Sequence, residues 1–216
     1  AGIYVGPDAI LTGNDVDFSD NTANEGGQLY ARSAEVSLSR TTWTGGQAMV
    51  GAGLNTGDST ITITNALFSG QIAPGSGGAV YQDGGELNIR YATLVENTAS
   101  IGAGIASDGG RTTLAGVIIA SNDGEAIANA GGRVMIDQSL VVGLDSGSSV
   151  VGAIIAGGDV LDAAPGFVNA EGGDYALRLA SPALDAGLDR EGDPDNTPAD
   201  WGMYGGESAW LQRDMD

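Results

Sequence analysis

Acidic residues crowd one stretch near the C-terminus, with one asparagine among them: Asp185, Asp189, Glu191, Asp193, Asp195, Asn196 and Asp200. Within it, Asp189-x-Glu191-x-Asp193-x-Asp195 sets carboxylates at alternate positions, with Gly192 and Pro194 to shape the loop. Hard oxygen donors of this kind suit Ca²⁺, although the glycine and the bidentate glutamate of an EF-hand loop are missing. The metal candidates are Asp189, Glu191, Asp193, Asp195 and Asp200. The same composition equally describes a solvated acidic loop. A second chemistry belongs to Tyr30 and Tyr81, since exposed aromatic rings stack on sugars and both fall at one position of a repeat. Asn55 and Ala106 share that position, so the two tyrosines also suit isolated surface rings.

Catalytic chemistry is sparse. The chain has no His and no Cys, and all eight of its basic residues are Arg. The usual general base, thiol nucleophile and Schiff-base lysine are therefore absent. Hydrolysis of a glycoside by a carboxylate pair remains chemically open. Such a site needs charges converging on one strand face. The outward positions of the main strand are Ser37, Thr62, Asn88, Thr113 and Met135, then Ser39, Thr64, Arg90, Ala115 and Asp137. Only Arg90 and Asp137 are charged, two coils apart, and no active site is expected from them. Asp58, Asp83 and Asp108 recur once per coil near one turn, where aspartate is common for conformational reasons.

These residues are positioned by a repeat. A Gly-rich opening recurs at Gly26-Gly27-Gln28-Leu29, Gly51-Ala52-Gly53-Leu54, Gly77-Gly78-Ala79-Val80 and Gly102-Ala103-Gly104-Ile105, and more weakly at Gly124-Glu125-Ala126-Ile127. An apolar residue closes each unit at 18, 43, 68, 94 and 119, giving steps of 25, 25, 26 and 25. A fixed period of this length marks a stacked repeat architecture. Apolar columns follow: Val36, Ile61, Leu87, Thr112, Val134, and two residues on Leu38, Ile63, Ile89, Leu114, Ile136. A separation of two is the strand period, so both columns face one way.

A coil of this size is too short for a strand-helix-strand unit, which needs about 30 residues or more. It suits short strands that stack in parallel on their copies above and below. The expected fold is all-β, a right-handed parallel β-helix, its hand taken from the general preference of parallel crossovers. The Asn column (Asn21, Asn97, Asn122, with Gly46 and Gln71 as departures) is expected to satisfy turn backbone groups. Coils should occupy residues 1–161. Residues 162–216 should form the last coil and an Asp/Pro/Gly-rich C-terminal cap, in which Trp201, Tyr204 and Trp210 cover the open end. Leu11, Val16 and Phe18 already align with Ile61, Ala66 and Phe68. The chain thus starts inside the solenoid, which suggests an upstream part.

The net charge of −20 and pI near 4.1 argue against nucleic acid and anionic membranes as partners. The same repulsion predicts a monomer. No apolar run reaches the roughly 18 residues of a membrane helix. With no cysteine, the redox compartment is not reported by the sequence.

The alternation of Gly-Gly-x-aliphatic with Phe-x-x-Asn resembles the repeats of chlamydial polymorphic outer-membrane proteins and related autotransporter passengers. The tail, from Pro165-Gly-Phe-Val-Asn169 through Asp193-Pro-Asp-Asn-Thr-Pro-Ala-Asp-Trp201 to Gly206, is similar to the ends of secreted bacterial proteins of the pectate-lyase-like β-helix superfamily. The resemblance implies an extracellular or cell-surface protein. The function expected is a non-catalytic segment acting as adhesin or structural stalk, with a host or neighbouring-cell glycan or protein as partner and Ca²⁺ as the one candidate cofactor. The alternative is a polysaccharide lyase or glycoside hydrolase, since members of that superfamily include Ca²⁺-assisted uronate lyases with an Arg base.

Overall fold

The regular coils each turn four corners, and a residue of positive φ marks each one. In the second coil these are Gly26 (φ 58°), Ser33 (48°), Arg40 (47°) and Gly45 (64°). One coil on, Gly51 (61°), Asp58 (47°), Asn65 (53°) and Gly70 (66°) take the same places. The computed structural model describes residues 1–144, 150–187 and 192–210. It is a β-solenoid of about six turns, about 25 residues apart, with no α-helix among the described residues. The fold expected from the repeat, an all-β stack of parallel coils, is the fold observed.

Between corners run short parallel strands. The first sheet stacks Ile3–Val5, Leu29–Arg32, Leu54–Gly57, Val80–Asp83, Ile105–Ser107, Ile127–Asn129 and Val150–Val151. The second contains Ile10–Ser19, Glu35–Thr44, Thr60–Ser69 and Glu86–Val95, each bent at a left-handed residue (Asp15, Arg40, Asn65, Tyr91) so that it spans two sides of the coil. Later coils break at that corner into separate strands, such as Arg111–Ala115 and Ile118–Ala120. Ile72–Ser76 and Thr98–Ile101 pair on the remaining side. The Gly-rich opening explains itself at Gly26. Its φ is positive, and a Cβ there would lie 2.5 Å from the carbonyl oxygen of Leu29, so a side chain is excluded both by conformation and by space.

Alternation along the strands fills the interior. Val36, Ile61, Leu87 and Val134, with Leu38, Ile63, Ile89, Leu114 and Ile136, are all buried in one continuous core. Parallel pairing puts equivalent residues in direct register, for example Val36 with Ile61 and Ile61 with Leu87. Aromatic residues on that lattice stack face to face: Phe18 on Trp43 at 4.1 Å between centroids, and Trp43 on Phe68 at 4.8 Å. The Trp43 indole N–H donates to Thr41 Oγ1 at 2.8 Å, both residues 0% exposed. A buried indole needs such a partner.

The Asn column acts as a ladder between coils. Asn97 Oδ1 accepts from the Gln71 backbone N–H at 3.0 Å, and Asn122 Oδ1 accepts from the Asn97 N–H at 2.9 Å. Gln71, a departure from the pattern, still serves it: its Oε1 accepts from the Gly46 N–H at 3.0 Å. Gly46 leaves room for Gln28, whose side chain links Asn21 to the Thr44 carbonyl.

The described residues after 161 lie along the flank of the solenoid. Trp201, Tyr204 and Trp210, the side chains anticipated over the open end, belong instead to a second apolar cluster with Leu67, Ile118 and Leu140. Those three point outward from their coils and would be exposed apolar surface without the tail, which is the physical reason for its position. Gly205 and Gly206 let the tail backbone lie on the Tyr91 ring, where Cβ atoms would come within 2.7 and 2.6 Å of ring carbons. Phe167–Asn169 and Asp174–Leu177 form an antiparallel hairpin within the tail. Among the described residues no helix is long and apolar enough to cross a membrane.

Candidate functional site

The outward column of the first sheet reads Tyr4, Tyr30, Asn55, Tyr81, Ala106 in direct register. Alternation requires this direction, because Leu54 and Thr56 on either side of Asn55 face the interior at 0% and 1% exposure. Tyr30 and Tyr81 thus stand on the same face with one coil between them. They flank a cleft of about 250 Å³ whose floor includes Asn55 and whose rim carries Arg32, Asp58 and Asp83. Glu25 and Val50 close it from the neighbouring side.

Both tyrosines are pinned at their hydroxyl ends. Tyr81 donates to Asp108 Oδ2 at 2.9 Å, and Arg32 Nη1 lies 3.5 Å from the Tyr30 hydroxyl. Burial and then the Asp108 carboxylate push the Tyr81 phenol up to about 12, so it stays a neutral donor. Asn55 is 6% exposed and lines the cleft. Sequence inspection names the two tyrosines but gives Asn55 only as an interruption. The signal for its role was the shared column position.

No protein-family model, curated protein or solved structure matches this chain.

Of the five acidic candidates, Asp189 and Glu191 lie outside the described residues. Asp193, Asp195 and Asp200 come together around a cavity of about 10 Å³ with Pro194 and Tyr204. Backbone donors hold them: Asp200 N–H to Asp193 Oδ2 at 3.1 Å, Thr197 N–H to Asp195 Oδ1 at 2.9 Å, and Asp185 N–H to Asp200 Oδ1 at 2.8 Å. Burial, then the adjoining Asp195 carboxyl, pushes Asp193 up to about 7. Burial pushes Asp200 up to about 6, against the opposing Asp185 hydrogen bond. Asp195 moves down, held by Asp193 and Thr197. Asp193 and Asp195 are thus neighbouring carboxyls driven in opposite directions, as like charges in close contact are. Among the described residues no group of three or more Asp, Glu, His or Cys side chains is arranged to hold a metal ion.

Arg90 and Asp137, the two charged outward positions, are placed apart. Asp137 Oδ1 accepts from the Gly158 N–H at 2.5 Å, a turn contact. Arg90 lines a pocket of about 370 Å³ with Thr64, Asn65, Tyr91 and Glu207, where the tail meets the flank. Its guanidinium lies 5.5 Å from the Tyr91 ring centroid.

Proposed function

We propose that this chain is a non-catalytic β-solenoid module of an exported bacterial surface protein, an adhesin-type segment that presents the outer face of its first sheet to a ligand on another surface. The observation that supports this most is the cleft between Tyr30 and Tyr81, which combines half-buried aromatic walls with a polar floor on a rigid lattice. Binding faces built on strands keep their geometry without reorganisation, and that limits the entropic cost of capture. A passive stalk has no use for such a cleft. The surface charge of −20 favours a monomer that stays dispersed. The resemblance to polymorphic outer-membrane repeats and pectate-lyase-like β-helices supports export.

The second reading is a polysaccharide lyase or glycoside hydrolase, and one observation favours it: Arg90 and Glu207 line the same pocket. One experiment separates the two. Fluorescently labelled chain is added to cells and, in parallel, to soluble polysaccharides whose chain length is followed by size-exclusion chromatography. The adhesin reading expects cell binding with unchanged polysaccharide length; shortening of the polymer that is lost in Arg90→Ala would replace it with the enzyme.

Calcium belongs to the tail in this proposal. The cavity bounded by Asp193, Asp195 and Asp200 is of single-ion or single-water size; Asp189 and Glu191, the other two candidate ligands, lie outside the described residues. Unfolding in EDTA and in excess CaCl₂ at matched ionic strength tests it. A Ca²⁺-specific rise in midpoint, absent with Mg²⁺, supports the site, and coincident curves reject it.

A further inference from the structure

Tyrosines on adjacent coils of the first sheet touch: the Tyr4 and Tyr30 rings are 5.5 Å apart at 52°. The row then skips one coil. Where a third ring would continue it, the sequence places the shorter Asn55, and Tyr81 resumes the row above. The flanking strands are two spacings apart, ~9.6 Å. That is about twice the roughly 4.5–5 Å at which ring systems stack, so one flat ring fits between them.

Building on the reading of this face as a binding surface, we propose that the gap is a saccharide subsite. It takes a single uncharged or amino-bearing pyranose residue, stacked between Tyr30 and Tyr81 with its hydroxyls on the Asn55 amide. Three observations converge on that chemistry. The cleft, about 250 Å³, has the dimensions of one sugar ring with its substituents. Asn55 is nine-tenths buried by its neighbours, and its side chain lines the cleft between the two rings. Its amide offers both donor and acceptor, as two vicinal hydroxyls require. The rim sets the charge. Glu25, Asp58 and Asp83 outnumber Arg32, a field that opposes uronates and sialates and tolerates an amine. An aromatic side chain of a peptide would also fill the gap, but would leave the amide unmet.

Saturation-transfer NMR on the whole chain tests the assignment, with the methyl glycosides of glucose, glucosamine and glucuronic acid as probes. Transfer to ring C–H protons is expected for the first two and is expected to weaken for the glucuronide. Asn55→Tyr completes the tyrosine row in the manner of Tyr4 and Tyr30; it should fold with an unchanged or higher midpoint and lose the signal. Asn55→Ala keeps the gap but removes the amide, and should weaken transfer about tenfold or more. The proposal is overturned if no glycoside shows transfer to wild type, if Asn55→Tyr binds as wild type does, or if the glucuronide binds best. It is likewise overturned if only tyrosine or phenylalanine amides show transfer. Cell binding that persists while every glycoside is silent removes the saccharide and leaves the surface-binding function standing; loss of both removes that function too.

Discussion

Asn65 Nδ2 donates to the Gly205 carbonyl at 2.6 Å, a contact spanning 140 residues of sequence. The same amide reaches the Met203 carbonyl at 3.1 Å. Asn65 is also a left-handed corner of its coil, with φ 53°. One residue therefore shapes the solenoid and fastens the tail. Asn65→Ala removes both hydrogen bonds and strains the corner, an expected loss of about 2–4 kcal/mol. Asn65→Gly relieves the strain and still loses the bonds. Limited proteolysis should show the tail cleaved faster in both variants, with urea unfolding more affected in the alanine variant.

The Asn ladder has an internal gradient. Asn97 is fully buried and serves the Gln71 N–H, the Phe68 carbonyl and Asn122, whereas Asn122 is partly exposed. Asn97→Ala orphans two buried backbone groups, which costs about 2–4 kcal/mol at roughly 1–3 kcal/mol each, discounted for partial relaxation. Asn122→Ala should cost less, because water can replace the lost partner. Chemical denaturation of the two variants checks the order.

Thr41 sits inside the solenoid for one partner, the Trp43 indole. Thr41→Val keeps the shape and strands a buried N–H, with an expected loss of about 1–3 kcal/mol. Thr41→Ser keeps the hydroxyl and should recover most of it. Denaturation midpoints of the three proteins decide.

Tail docking should depend on pH. Asp193 and Asp200, at about 7 and about 6, titrate above the ordinary aspartate range because folding buries them. A carboxyl whose folded pKa is raised contributes stability that is whole below its unfolded pKa, about 3.9, and is lost as pH rises through the folded value. Asp195 is lowered, so its contribution runs the other way and fades only in stronger acid. Protection of the tail against hydrogen exchange, corrected for intrinsic rate, should therefore be greater at pH 5 than at pH 8. Asp193→Asn should flatten that difference.

The period was legible because each interior column sees the same environment in every coil, so Leu29, Leu54, Val80 and Ile105 had to agree in character. The corners were not. Asp15, Arg40, Asn65 and Tyr91 hold one backbone conformation with four unlike side chains, since the stack imposes the turn and no residue type announces it. The flank position of the tail left a readable trace. Leu67-Phe68, Ile118-Ile119 and Leu140-Val141 are apolar at adjacent positions, which means both faces of those strands are covered. Glu86 and Arg111 are register neighbours, but among the described residues the ion pair formed is Arg40 with Asp15, at 2.7 Å. Exposed charges gain little from proximity alone. The cleft was half legible: its walls are aromatic and conspicuous, while its floor is an ordinary asparagine whose burial only the packing reveals.

Adhesion of fluorescent beads coated with wild-type chain and with Asn55→Tyr, to the same cells, bears most directly on the claim that the first sheet is a recognition face. Wild-type beads are expected to adhere, and Asn55→Tyr beads to fall to background with the solenoid intact by circular dichroism. Equal adhesion of the two would contradict the account and move recognition away from the Tyr30–Tyr81 cleft.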